Sequence, residues 1–133
     1  MWGGLLSVEK KYTALLCDDS TVVRKMLRHI LSDSLVGTIF EAVDGNQAVE
    51  MYRLHRPDIV FMDIVMPGKT GIQALTEIRA HDPSARVVMA SSTGTTKNLK
   101  MAIDSGASDF IQKPFEREIV LKLIRRILEG EWE

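Results

Sequence analysis

Two carboxylates stand side by side at the end of an apolar run, Leu15-Leu16-Cys17-Asp18-Asp19-Ser20. Two such charges about 4 Å apart repel by about 4 kcal/mol at an effective dielectric of 20. A carboxylate at an apolar boundary is also costly without a partner. A third acid, Asp63, ends the run Asp58-Ile59-Val60-Phe61-Met62. Ser91 follows Arg86 to Ala90, and Lys113 follows Asp109 to Gln112. Three acids gathered in one cleft call for a hard cation. Mg²⁺ fits, because it takes oxygen ligands, keeps several waters and bridges to phosphate. The Lys113 ammonium and the Ser91 hydroxyl add two donors aimed at oxyanions. Together these groups suit a phosphoryl group, whose transfer depends on positioning and charge neutralisation. One of the carboxylates is itself a candidate nucleophile, since carboxylates form aspartyl-phosphates.

The elements that carry these residues must bring them together. Thr13 to Cys17 reads as a first strand. Val22, Val23, Met26, Leu27, Ile30 and Leu31 then form a helical stripe, with Ser20 or Thr21 as its cap. Gly37 to Ala42 is a second strand and Asp44 to Leu54 a second helix. Asp58 to Met62 is a third strand, Pro67-Gly68 a turn, and Ile72 to Ala80 a third helix. Arg86 to Ala90 is a fourth strand. A helix from about Thr96 to Ser105 follows, stopped by Gly106. Asp109 to Gln112 is a short fifth strand, Pro114 breaks the chain, and Glu116 to Leu128 is the last helix. The strands are apolar almost throughout, as expected when helices cover both faces of a parallel sheet. This (βα)5 alternation predicts an α/β, doubly wound five-stranded parallel sheet with its site at the carboxyl ends of the strands. Strand periodicity sends Asp18 and Asp19 to opposite faces. Only where the chain turns can both enter one pocket.

The bulk composition narrows the classes. The chain has 133 residues, 45% hydrophobic and 26% charged, which suits one domain over residues 1–133 with its core at about 13–128. A formal net charge of −1 argues against direct nucleic-acid binding. No apolar stretch approaches the roughly 20 residues that membrane insertion needs. No targeting signal is visible, so a cytoplasmic setting is the expectation. The lone Cys17 lies in an apolar run and reads as a buried structural thiol. His29, His55 and His81 are scattered and read as solvated. The Met residues read mostly as core filling, and Arg125-Arg126 as a solvated face. Trp2 and Trp132 either pack on the body or meet a partner.

The motifs "CDDS", "MDIVMPGKTG", "VVMASS" and "FIQKPF", in this order and spacing, resemble the receiver domains of two-component response regulators. The resemblance implies a flavodoxin-like three-layer sandwich with strand order 2-1-3-4-5. It implies that Asp63 accepts a phosphoryl group from a sensor histidine kinase or phosphotransfer protein, with Mg²⁺ as cofactor. Asp19, Asp63 and the backbone carbonyl of Val65 would bind the metal directly, and Asp18 mainly through water. Ser91 would bond a phosphoryl oxygen, and Lys113 would pair with the acid or the phosphoryl group. Lys113-Pro114 would be a cis peptide. Ser91 and Phe110 would form the switch. Phe110 has no hydroxyl, so only the packing half of that switch operates. The fourth helix, fifth strand and fifth helix would form the face that changes partner, an effector the sequence does not name. The same resemblance allows a monomer or a phosphorylation-linked homodimer, and either a stand-alone regulator or the receiver of a larger protein. It makes the chain a signalling domain that catalyses its own phosphorylation and dephosphorylation.

Two alternatives share parts of this pattern. Ser91-Ser92-Thr93-Gly94-Thr95-Thr96 matches a phosphate-cradling loop of flavodoxin-like electron carriers, but that loop belongs after the first strand, which here ends in two acids. A haloacid-dehalogenase-like phosphatase also uses a strand-end Asp, a hydroxyl, a Lys and Mg²⁺. It needs an acid two residues after the nucleophile, where Val65 stands.

Overall fold

Alternation along three buried strands sets the architecture. The computed structural model describes residues 10–92 and 95–130. Strand β1 is Tyr12–Cys17, β2 Val36–Ala42, β3 Ile59–Asp63, β4 Val87–Ser91 and β5 Asp109–Gln112. Between them run α1 (Thr21–Leu31), α2 (Gly45–His55), α3 (Gly71–His81) and α4 (Thr96–Asp104), and α5 (Arg117–Ile124) closes the series. All pairings are parallel, and the sheet order is 2-1-3-4-5.

Successive side chains of a strand point to opposite faces, and the core divides accordingly. Leu15, Cys17, Val60, Met62, Val87 and Met89 pack with Ala48, Val49 and Tyr52 of α2, Ala74, Leu75 and Ile78 of α3, and Ala102 of α4. Ala14, Leu16, Ile59, Phe61, Val88 and Ala90 pack on the other face with Leu27, Ile30 and Leu31 of α1 and Val120, Leu123 and Ile124 of α5. The result is three layers, with two helices on one face and three on the other.

The helix starts follow their caps. Ser20 accepts from the Val23 amide at 3.3 Å, Asp44 from Gln47 at 2.7 Å, and Thr95 from Asn98 at 3.2 Å. Thr70 and Gln73 form a reciprocal capping box. The last helix differs from the single span expected from its periodicity. It passes at Arg125 into a π-helical turn, Arg125–Glu129, and ends at Gly130 with φ 71°. Arg126 there reaches the Asp109 carboxylate, and both residues are half-buried. The expected solvated face at Arg125-Arg126 is therefore corrected: a carboxylate on β5 turns one of these arginines inward.

Other expectations resolve residue by residue. Cys17 is buried, and burial followed by the Asp18 charge pushes its thiol far up. Met62, Met66 and Met89 fill the core, whereas Met26 and Met101 are exposed. His29 and His81 are exposed; His55 is too, but its ring stacks on Phe40 at 3.9 Å. Trp2, Trp132, Thr93 and Gly94 lie outside the described residues. Among the described residues no helix is long and apolar enough to cross a membrane.

Candidate functional site

The carboxyl ends of β1, β3, β4 and β5 converge, and each delivers a polar group. The main chain of Asp18 extends the ladder by one bond, its amide donating to the Ala42 carbonyl at 3.1 Å. The chain then turns, which places Asp18 inside and leaves Asp19 exposed. That turn lets two adjacent acids share one pocket. Asp63 was expected just beyond its strand, yet it is the last residue of β3 and pairs with Ala90 of β4. Ser91 likewise closes β4 and pairs with Gln112. Both ladders continue past them, through Ile64 N–H to Ala90 O at 3.1 Å and Lys113 N–H to Ser91 O at 2.9 Å. The two groups are thus anchored in the sheet and not in loops.

One carboxylate oxygen from each of Asp18, Asp19 and Asp63 lies within 4.8 Å of the others. Asp18 and Asp63 are buried, at 6% and 8% exposure. The positive charge that the opening acids require comes from residue 113: Lys113 Nζ stands 2.6 Å from Asp18 Oδ2 and 3.3 Å from Asp63 Oδ1. The Ser20 amide donates to Asp18 Oδ1 at 2.9 Å. Both Asp18 oxygens are therefore engaged. Burial and the Asp18 charge push the Asp63 carboxyl above the ordinary range, against the pull of Lys113. Burial pulls the Lys113 ammonium down, but Asp18 and Asp63 outweigh it and hold it above the usual lysine value. One ammonium among three carboxylates leaves the pocket electron-rich, built from hard oxygen donors that suit a divalent cation such as Mg²⁺.

The loop after β3 is wedged in place. A Cβ at Gly71 would stand 2.0 Å from the Asp63 carbonyl oxygen, and one at Gly45 would stand 2.0 Å from that of Lys69. Only glycine permits such approaches of backbone to backbone. Val65 in this loop exposes 72% of its surface. Lys113-Pro114 is a cis peptide. Phe110 is half-buried and opposes Met89, two rungs before the Ser91–Gln112 pair. Asp18, Asp19, Asp63 and Lys113 are thus brought together, and Ser91 ends β4 one residue past the Ala90 that pairs with Asp63. Arg24 lines a small cavity between α1 and the sheet, together with Asp18 and Asp63. Nothing in its helical spacing distinguishes it from other polar residues of α1.

A family model described as the response regulator receiver domain matches residues 14–125. The chemotaxis protein CheY of Bacillus subtilis is 44% identical over 114 residues, covering 86% of this chain and 95% of that protein. CheY of Halobacterium salinarum is 42% identical, covering 86% and 94%. Among solved structures, the CheX–CheY–BeF₃–Mg²⁺ complex from Borrelia burgdorferi superposes with a TM-score of 0.83 at 36% identity, over 88% of this chain and 89% of that one. The receiver domain of the putative response regulator NarL from Mycobacterium tuberculosis gives 0.85 at 28% identity, over 92% and 99%.

Proposed function

This chain belongs to the response regulator receiver family, the phospho-accepting switches of two-component systems, and from that premise we propose that Asp63 is its phospho-acceptor and that Mg²⁺ binds beside it. Neither the flavodoxin-like nor the dehalogenase-like alternative is supported. The observation that carries the proposal is the cluster of Asp18, Asp19 and Asp63, with the Lys113 ammonium paired to Asp18 and Asp63. Asp19 and Asp63, with the Val65 carbonyl, are the proposed direct ligands. Asp18, whose oxygens already accept from Lys113 and Ser20, acts mainly through water. Bound there, Mg²⁺ would neutralise charge on the incoming phosphoryl oxygens.

An Asp63 carboxylate oxygen attacks phosphorus, and an O–P bond forms as the P–N bond of a donor phosphohistidine breaks. The imidazole departs with the electron pair and takes a proton from water. Lys113 offsets the negative charge that gathers at Asp63. Ser91 then bonds a phosphoryl oxygen, and Phe110 follows it inward, which joins the site to β5.

Two surfaces suit the partners. A groove of about 270 Å³ beside the pocket is lined by Val23, Met26, Pro114 and Phe115 with Ser92 and Lys113, and it offers apolar footing to the donor protein, a histidine kinase or phosphotransfer protein. Phe110 and Ile119 line one groove beside β5 and α5, and Met101 and Ile103 are exposed on different sides of α4; the α4–β5–α5 side is the face offered to an effector. The decisive experiment is incubation with acetyl phosphate and Mg²⁺, followed by intact-mass measurement and peptide mapping. One phosphoryl group should appear on Asp63 and be absent with EDTA or in Asp63→Asn. Labelling at any other residue would overturn the assignment.

A further inference from the structure

The turn that carries two of the three acids is held from outside the pocket. Arg24, on the first full turn of α1, exposes only 13% of its side chain. Its Nη1 donates to the Asp18 carbonyl at 2.6 Å, its Nε to Glu41 Oε1 at 2.5 Å, and its Nη2 to Thr21 Oγ1 at 3.4 Å. Glu41 lies on β2 in register with Leu16. Its other oxygen accepts from Arg28 Nε at 3.0 Å and Nη2 at 2.8 Å. Burial pushes the Glu41 carboxyl up, but Arg28 and Arg24 outweigh it and hold it below the usual range. Glu41 therefore stays ionised and opposes the charge of Arg24.

We propose that Arg24 and Glu41 are a positioning pair for the acidic pocket: Glu41 holds the Arg24 guanidinium on the Asp18 carbonyl, and this sets how Asp18 and Asp19 present their carboxylates to Mg²⁺. The inference rests on the Mg²⁺ reading above. Neither residue touches the metal or the phosphoryl group. The planar fork of arginine is what the geometry uses, because separate nitrogens meet the carbonyl and the carboxylate. A lysine ammonium is a compact point charge and cannot span both in this orientation. The charge of Glu41 matters as well. It holds the Arg24 guanidinium on the Asp18 carbonyl, and Arg28 shares the same carboxylate.

The test is Mg²⁺ titration of the full chain by calorimetry, without phosphodonor, alongside ¹H–¹⁵N spectra of the metal-free protein. Arg24→Lys and Glu41→Gln should each raise the Mg²⁺ dissociation constant about tenfold, which corresponds to ~1.4 kcal/mol. Both should also shift the amide signals of Asp19 and Ser20 before metal is added. Arg28→Gln removes another α1–β2 link through the same glutamate without touching Asp18. It should lower the melting temperature and leave the metal affinity at the parent value. Parent-like affinity in Arg24→Lys would overturn the proposal. So would an equal loss in Arg28→Gln, which would assign the effect to general helix packing. Asp19→Ala separates the two readings. If it binds Mg²⁺ as well as the parent does, or if the parent binds none, the metal site itself fails and the positioning role falls with it.

Discussion

Asp63 is kept near the sheet's interior with another carboxylate beside it, and its ionisation opposes folding. Its native carboxyl binds a proton more tightly than the unfolded chain does, because burial and Asp18 raise its pKa. By linkage, its contribution to stability falls as pH rises from the usual carboxylate range of about 4 through the raised native value. The penalty is complete only once the pH exceeds that raised value. Asp63→Asn keeps the shape and removes the charge. In EDTA at pH 7 it should melt roughly 4 °C higher than the parent, the shift that ~1 kcal/mol produces in a domain of this size. The gain should shrink as the pH falls toward the usual carboxylate range, because the native parent carboxyl takes up its proton before the unfolded one does. Equal melting temperatures at pH 7 would show that Lys113 cancels the repulsion completely.

At the scale of elements, the start of α3 is pressed against the strand that ends in Asp63. The Gly71 amide donates to the Ile64 carbonyl at 2.8 Å, and the Thr70–Gln73 box fixes the helix axis just there. A methyl group at Gly71 would stand 2.0 Å from the Asp63 oxygen, so the helix or the strand must shift. Gly71→Ala should cost about 3 kcal/mol in urea denaturation, within the range of overpacked and strained sites. It should also weaken Mg²⁺ binding, because the loop carrying Val65 lies between the two elements. Thr76→Ala, exposed on the same helix, should cost no more than about 0.5 kcal/mol. A loss below about 1 kcal/mol for Gly71→Ala would mean that α3 slides without strain.

Over the whole molecule, the acids at the two ends of the sheet are met differently. At the amino end, Asp58 accepts from the Thr13 amide at 2.8 Å, and Asp82 accepts from the Tyr52 hydroxyl at 2.7 Å and meets Arg56 at 3.3 Å. At the carboxyl end, three acids cluster, and Lys113 pairs with two of them, Asp18 and Asp63. A ligand that binds only the native state stabilises it by mass action, about 2.7 kcal/mol at a hundred times its dissociation constant. Saturating Mg²⁺ should therefore raise the melting temperature by several degrees, whereas NaCl at matched ionic strength should not. Asp19→Ala should lose most of the increase. An equal rise with NaCl would reduce the effect to general screening.

Residue order along the chain was enough to show five strands alternating with five helices, a parallel sheet, and polar groups gathered at the strand ends. Those features rest on local periodicity and on the burial that both-face coverage imposes, and both are written in neighbouring residues. Strand order came from family resemblance, because it depends on which crossovers pack and not on any one segment. Tertiary structure alone decided that Asp63 and Ser91 close their ladders, since a strand's last residue is set by the partner opposite it. It decided that Lys113 lies closer to Asp18 than to Asp63, a choice between side chains far apart in the chain. It turned Arg126 onto Asp109 and joined Arg24 to Glu41 across α1 and β2. Each of these pairings needs two elements already docked, and periodicity within one element carries no record of its neighbour.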